Sequence, residues 1–122
     1  MTSNKEKVSS KEVGLEIGLV ISRFLYKTEH LHYGFWPDDL QIIPENVQEA
    51  QDLHSKLIID TIPDNVETIL DVGSGSGGLA EKLINEGYTV HCVSPSEYLA
   101  DAIEEKLGSK VKVYRSTCQD LQ

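Results

Sequence analysis

Hydrophobic and polar positions divide the chain into two helical segments followed by strands that alternate with helices. Over residues 11–28, apolar side chains fill more than one helical face, which predicts a helix buried against the rest of the domain. From Pro44, apolar residues recur at three- and four-residue steps until the turn at residues 63–65. The apolar runs 68–72, 89–93 and 111–114 then alternate with helical patterns at 78–86 and 97–107. This β-α-β-α-β order predicts a parallel sheet with right-handed crossovers.

A glycine-rich turn follows the first predicted strand. Asp71 lies near the end of this strand, and the glycines within residues 73–78 stand at the start of a helical pattern. Glycine lets the backbone bend sharply and approach a ligand, while the first N–H groups of the helix offer hydrogen-bond donors. Because strand, turn and helix signals coincide here, the sequence predicts a turn that binds a nucleotide cofactor.

Two classes of cofactor are compatible with this turn. Gly73, Gly75 and Gly78 satisfy the G-x-G-x-x-G spacing of dinucleotide binders, so NAD and FAD stay open on spacing alone. Asp71 favours the second class, because a carboxylate at the mouth of the turn repels a pyrophosphate. It attracts a ligand that carries an ammonium group and no phosphates, and S-adenosylmethionine is such a ligand.

Three segments carry a resemblance to a known family. Residues 70–78 (Leu-Asp-Val-Gly-Ser-Gly-Ser-Gly-Gly) resemble the first motif of the class I, Rossmann-like, S-adenosylmethionine-dependent methyltransferases. Residues 31–36 (Leu-His-Tyr-Gly-Phe-Trp) are similar to the entry segment of small-molecule and lipid methyltransferases, including the cyclopropane-fatty-acid synthases. Residues 49–56 are similar to the helix before the glycine motif. The resemblance covers about residues 24–121 and implies methyl transfer to a small-molecule or lipid-like acceptor.

The resemblance also implies which residues bind the cofactor. In relatives, the acid and the glycines line the methionine end, and an aromatic residue closes over the sulfonium, a cation that aromatic faces attract. Ser94 stands where an acid is usual, as in the cyclopropane synthases, and Thr117 replaces the usual Asp near adenine. The aromatic residues can instead pack against the core, and Ser96 can instead cap a helix. The implied cofactor-binding residues are Tyr33, Trp36, Asp71, Gly73, Ser74, Gly75, Gly77, Ser94, Pro95, Ser96, Thr117 and Cys118.

No catalytic base is identified by the pattern. Methyl transfer is a displacement at the sulfonium that depends on positioning, and it needs a base only if the acceptor must lose a proton. His32 and Tyr33 are the candidates, together with His30. His54 is a weaker candidate because we expect it on a helix distal to the turn, and His91 because it lies within a strand. The sequence has no metal-ligand spacing, no Walker lysine and no nucleophile elbow, so we expect no metal.

Composition and net charge limit the cellular compartment and the partners that we expect. A chain of 122 residues with a net charge of −9 predicts one domain that repels nucleic acids and anionic membrane surfaces. Cys92 and Cys118 are too few for a disulfide framework, which favours the reducing cytoplasm.

The expected fold class is α/β, a Rossmann-like three-layer α/β/α arrangement with a parallel sheet, of which this sequence carries about half. We expect a disordered tail at residues 1–11, a helical cap with the entry segment at 12–66, and an S-adenosylmethionine-binding half-domain at 67–122. An uncovered strand would favour self-association or a chain that supplies the missing half of the sheet. Two other functions stay open: a dinucleotide-binding fragment of an oxidoreductase, and a non-catalytic interaction remnant.

Overall fold

The computed structural model describes residues 7–121. N-terminal helices precede a three-stranded parallel sheet whose strands are connected by two further helices. The helices and strands are α1 (Ser10–Ile21), α2 (Val47–Asp60), β1 (Thr68–Val72), α3 (Gly78–Asn85), β2 (Thr89–Val93), α4 (Glu97–Leu107) and β3 (Val111–Tyr114). A π-helix (Ser22–Tyr26) extends α1, and short 3-10 turns occur at Pro44–Asn46, Gly108–Lys110 and Cys118–Asp120.

The sheet order is β1-β2-β3, and all pairs are parallel. In the register of the strands, Leu70 lies opposite His91, which lies opposite Lys112. The predicted β-α-β-α-β order of an α/β, Rossmann-like half fold is therefore confirmed. All three strands have the predicted ends, and α3 ends one residue before the predicted Glu86.

The core lies between one face of the sheet and the helices α3 and α4. Its fully or nearly buried members are Ala80, Leu83, Val90, Cys92, Ile103 and Leu107. On the opposite face of the sheet, Leu70 and Val72 are half exposed, because no described helix covers them. Residues 7–121 therefore supply the sheet and one helical layer of the three-layer arrangement.

The prediction of a buried N-terminal helix is wrong for α1. Leu19 is its only buried residue, and most of its other large apolar side chains are exposed. The helix contacts α4 through a polar link, in which Glu12 Oε1 accepts hydrogen bonds from Ser96 Oγ (2.7 Å) and from the Tyr98 N–H (2.9 Å). The apolar pattern indicated a face that the described residues leave uncovered.

The start of α1 also changes the expected boundary of the tail. Ser9 caps the helix by accepting a hydrogen bond from the Glu12 N–H, so α1 begins within the predicted tail of residues 1–11. Residues 1–6 of that tail, and Gln122 of the predicted half-domain, lie outside the described residues. Over the part of the chain that is described, we found no helix with the length and apolar character needed to cross a bilayer.

Candidate functional site

The glycine loop, residues 73–77, joins β1 to α3. Gly73, Gly75 and Gly77 all have positive φ angles (74°, 56° and 86°), a backbone region that side chains with a Cβ rarely adopt. The Gly73 N–H donates to the Val93 carbonyl (3.0 Å), and this hydrogen bond holds the start of the loop against the end of β2. The sequence of positive φ angles turns the chain sharply from the strand into the helix.

A cavity of about 320 Å³ lies between this loop and residues 29–36, which include the predicted segment 31–36. From here on, residues 29–36 are called the entry segment. We call the cavity the loop cavity. One wall consists of Asp71 and the glycine loop, and the other consists of residues 29–32 together with His54 of α2. Of the predicted cofactor-binding residues, the structure brings Asp71, Gly73, Ser74 and Gly75 to this cavity.

Asp71 is a half-buried residue in the wall of the loop cavity. Its Oδ2 atom is inaccessible to solvent and finds no hydrogen-bond partner within residues 7–121. Burial raises the pKa of Asp71, although the nearby Ser74 hydroxyl opposes the shift. A buried carboxylate oxygen without a partner is costly, so the site favours a ligand that brings a hydrogen-bond donor or a cation.

The other carboxylate on the cavity wall, Glu29, has its charge balanced by protein groups. Its Oε1 atom lies 2.8 Å from an Arg23 guanidinium nitrogen, and its Oε2 atom pairs with the Lys106 ammonium. The negative charge that the described residues leave available to a ligand in this cavity is therefore that of Asp71.

Three histidines line the loop cavity opposite Asp71. The ring centroid of His32 lies 4.9 Å from that of His30 and 4.4 Å from that of His54. Burial, together with the neighbouring His30 and His54, lowers the pKa of His32 to about 4. Burial and nearby Lys82 also lower the pKa of His30. His30 and His32 therefore favour the neutral form in the folded protein.

Hydrogen bonding assigns the tautomer of His32. Its Nδ1 atom accepts a hydrogen bond from the Gly34 N–H (3.1 Å), so in the neutral ring the proton is on Nε2. His32 is thus a hydrogen-bond donor, and its Nδ1 lone pair is not available to remove a proton from a substrate. This geometry argues against His32 as the base.

His54 lies in the cavity wall, so the expectation that it is distal to the glycine turn is wrong. Its Nδ1 atom is buried and has no hydrogen-bond partner among the described residues. The reason is that α2 packs against the entry segment, and the helical face that carries Ala50 and Gln51 also carries His54 one turn later. A helical pattern alone does not indicate which loop the face contacts.

Gln51 fixes the entry segment to α2. This buried amide donates from Nε2 to the carbonyls of His32 (2.8 Å) and His30 (3.3 Å), and its Oε1 accepts from Thr28 Oγ1 (2.7 Å). On the other side, Ser76 of the glycine loop donates a hydrogen bond to the Glu29 carbonyl. The sequence pattern indicated no role for Gln51, although a polar residue beside the apolar stripe of a helix is a usable signal.

Replacing Gln51 by Ala is expected to loosen the entry segment by about 1–3 kcal/mol, because two partly buried carbonyls and the buried Thr28 hydroxyl lose their partner. Limited proteolysis of the variant should cut residues 28–36 faster than in the wild type. Gln48→Ala removes an exposed amide of the same helix whose hydrogen bond within residues 7–121 is to the Lys27 carbonyl, so it serves as the matched control. Equal cleavage rates for both variants would contradict the role of Gln51.

Two predicted aromatic residues lie beyond His32, outside the loop cavity. Tyr33 and Trp36 line a second cavity, and the Trp36 Nε1–H donates to the Tyr33 carbonyl (3.0 Å). Tyr33 is 89% exposed, so its ring has room to rotate. Gly77 is buried against Ile103 behind the loop and does not line either cavity.

The remaining predicted positions lie at the ends of β2 and β3, where the structure does not bring them to the loop cavity. The Ser96 hydroxyl caps α4 by accepting from the Leu99 N–H (3.1 Å), and Ser94 Oγ donates to the Ser96 carbonyl (3.3 Å). Thr117 Oγ1 donates to Asp120 (2.5 Å). Pro95 and Cys118 are exposed. No group of three or more metal-ligating side chains occurs within residues 7–121.

Comparison with known proteins identifies the fold. No family model matches the chain. A stretch of 57 residues is 37% identical to an uncharacterized methyltransferase of Geobacillus sp. (strain WCH70), and it covers 46% of this chain and 27% of that protein.

Solved structures match over most of this chain. The [4+2]-cyclase SpnF matches 90% of the chain with a TM-score of 0.66 and 19% identity. The mycolic acid cyclopropane synthase CmaA1, solved with SAH and CTAB, matches 96% with a TM-score of 0.64 and 15% identity. A geranyl diphosphate methyltransferase, solved with GPP and sinefungin, matches 93% with a TM-score of 0.65 and 15% identity. The chain spans 44%, 44% and 51% of these structures, so it has the fold of about half of each.

Proposed function

We propose that this chain, which has the fold of about half of a class I methyltransferase, binds S-adenosylmethionine in the loop cavity. It would then form the cofactor-binding part of an enzyme that transfers a methyl group to a small-molecule or lipid-like acceptor. The observation that carries the proposal is the buried Oδ2 atom of Asp71, which has no hydrogen-bond partner within residues 7–121 and lies next to the glycine loop. When bound, the cofactor supplies a methyl group activated by its sulfonium.

The loop cavity fits the methionine end of this cofactor. The carboxylate of Asp71 is best suited to bind a cation, so we propose that it binds the ammonium group of the cofactor. Within the described residues no acceptor engages the N–H groups of Gly75 and Ser76, which makes them suitable donors to the carboxylate of the ligand. A cavity of about 320 Å³ is roughly twice the ~150 Å³ that holds benzene, enough for the methionine end and not for the whole cofactor.

The ribose and adenine ends extend beyond this cavity. We assign them to Ser94, Pro95, Ser96, Thr117 and Cys118, which lie at the carboxyl ends of β2 and β3, the edge of a parallel sheet where ligands bind. Ser94 offers a hydroxyl in place of a carboxylate, so its hydrogen bond to a ribose is weaker than a charge-assisted one. We assign Tyr33 and Trp36 to the sulfonium side of the entry segment.

The residues of this chain act mainly by positioning the reactants. In our proposal, Asp71 holds the ammonium group and the entry segment excludes water from the methionine end. His32 donates its Nε2–H to an oxygen or nitrogen of the acceptor and so orients that atom. Tyr33 stays as the candidate base of the entry segment for an acceptor that must lose a proton.

Isothermal calorimetry with S-adenosylhomocysteine tests the cofactor proposal, and NADH fluorescence tests the dinucleotide alternative on the same sample. We expect saturable heat with S-adenosylhomocysteine and no NADH binding, because Asp71 repels the pyrophosphate. NADH binding without S-adenosylhomocysteine binding would support an oxidoreductase fragment. If neither ligand binds and only a partner chain raises the melting temperature, the interaction remnant is supported instead.

We propose the cellular compartment and the partners of the enzyme from the net charge and the exposed surface of this chain. A net charge of −9 disfavours nucleic acids and anionic membranes as partners, and two unbonded cysteines favour the cytoplasm. The half-exposed Leu70 and Val72 leave an apolar sheet face to be covered. We propose that this face is covered in one of two ways, by self-association or by a chain that supplies the missing half of the sheet.

A further inference from the structure

We infer that a second cavity, on the far side of the entry segment from the glycine loop, holds the apolar body of a neutral acceptor molecule. This cavity has a volume of about 340 Å³, and we call it the entry cavity. Its walls come from the π-helix, the entry segment, residues 42–44 and the start of α2, and they include Tyr26, Leu31, Trp36, Ile43 and Val47. The role as an acceptor site rests on the proposed function, whereas the binding site itself does not.

The entry cavity carries no charged side chain. Although 25% of the residues of the chain are charged, the described residues that line this cavity include no Asp, Glu, Lys or Arg. The loop cavity, by contrast, contains the carboxylate of Asp71. Because an unpaired charge is expensive to transfer into such a lining, the entry cavity selects a neutral and mainly apolar ligand.

His30 and His32 line both cavities and form their shared wall. The low pKa of His32, about 4, keeps this wall neutral at pH 7. With its Nδ1 atom occupied by the Gly34 N–H, the neutral ring of His32 has its Nε2–H left as a hydrogen-bond donor in this wall. An oxygen or nitrogen lone pair on the ligand can accept this hydrogen bond and so be held next to the loop cavity.

The rim of the entry cavity is apolar and exposed. Ile42 is 79% exposed and Tyr33 is 89% exposed, and both line the cavity. A bound apolar molecule would cover part of this surface. Ser22 and Tyr26 of the cavity wall are the first and last residues of the π-helix, an irregularity that is frequent at functional sites. The volume corresponds to roughly a dozen ligand atoms other than hydrogen.

The probe for this inference is 1-naphthylamine, a neutral aromatic amine of about that size. The sequence has a single tryptophan, Trp36, in the cavity wall, so binding should quench its emission in a saturable way. Ile42→Asp places a charge at the exposed rim, where it does not disturb the core, and we expect it to weaken probe binding at least about tenfold. Leu57→Asp, an exposed position of α2 that does not line the cavity, is the matched control and should bind as the wild type does.

Calorimetry with S-adenosylhomocysteine on the same variants separates the two proposals. We expect Ile42→Asp to keep cofactor binding, because Ile42 does not line the loop cavity. If the wild type does not bind the probe, or if Ile42→Asp and Leu57→Asp bind it equally, the entry cavity is not a ligand site. Probe binding that depends on Ile42, in a protein that does not bind S-adenosylhomocysteine, would support the site and overturn its role as an acceptor site.

Discussion

Replacing Asp71 by Asn is expected to weaken the binding of S-adenosylmethionine by roughly 10- to 100-fold. The variant keeps the size of the side chain and loses the charge, and a hydrogen bond between charged groups contributes about 1.5–3 kcal/mol. Calorimetry with S-adenosylmethionine measures the change. Asp64→Asn removes an exposed carboxylate from the turn before β1 and should leave the affinity unchanged. Equal affinities for the two variants would show that Asp71 does not face the ligand.

The same substitution is expected to stabilise the protein without ligand. Because burial raises the pKa of Asp71, the folded state binds its proton more tightly than the unfolded state does. The carboxyl group therefore favours folding most at pH values below its unfolded pKa, and this contribution is lost as the pH rises through the folded pKa. At pH values above both the unfolded and the folded pKa, the ionised carboxylate opposes folding because its buried Oδ2 atom has no partner within residues 7–121, and Asn removes that charge.

A melting-temperature series against pH measures this effect. We expect Asp71→Asn to gain about 1 kcal/mol at pH 7, or roughly 4 °C in melting temperature, and to lose the gain as Asp71 of the wild type becomes protonated at lower pH. Asp64→Asn should show no such pH-dependent difference. A lower melting temperature of Asp71→Asn at pH 7 would mean that the carboxylate is stabilised in the free protein. Together with the affinity loss, the expected gain would show that this residue is retained for binding at a cost in stability.

Elements whose ends are marked by local chemistry were predictable from the sequence. The strand Thr68–Val72 is a short apolar run that stops at a glycine, and α4 runs from the Ser96 cap to Gly108. The burial of α1 was not predictable. Its apolar residues show that the helix has an apolar face, but they do not show which part of the protein covers that face. Within α1 only Leu19 is buried, and the described hydrogen bonds between α1 and the start of α4 are both accepted by the carboxylate of Glu12.

In the candidate site, too, the residues placed by local sequence were predictable and those placed by packing were not. Asp71 and the glycines lie together because they are neighbours in the chain, so their spacing was enough to predict the loop. His54 and Gln51 reach the site through packing of α2 on residues 28–32, a contact across about twenty residues that no local pattern encodes. Such contacts decide which side chains face a ligand, which is why the sequence identified the glycine loop and missed the opposite wall.

Replacing Gly34 by Ala is expected to detach the entry segment from α2. Gly34 has a φ of +85°, and a Cβ atom there would lie 2.7 Å from the backbone carbon of Ala50 and 2.9 Å from the nitrogen of Gln51. Left-handed backbone costs about 1–2 kcal/mol in a residue with a Cβ, and overpacking against backbone adds about 1–3 kcal/mol. The neighbouring hydrogen bond from the Phe35 N–H to the Ala50 carbonyl (2.8 Å) would break as the two segments separate.

Because the entry segment forms one wall of the loop cavity and part of the wall of the entry cavity, Gly34→Ala should reduce binding of S-adenosylhomocysteine and of 1-naphthylamine together. Faster proteolysis of residues 28–36 and a shifted Trp36 emission should accompany the loss. Gly87→Ala is the matched control, since Gly87 has a φ of +100° but a Cβ there meets no atom within 4 Å. That variant carries the backbone cost without the clash, so its melting temperature should fall while both ligands still bind. Wild-type binding by Gly34→Ala would contradict the packing of the entry segment on α2 and, with it, the wall that both proposed sites share.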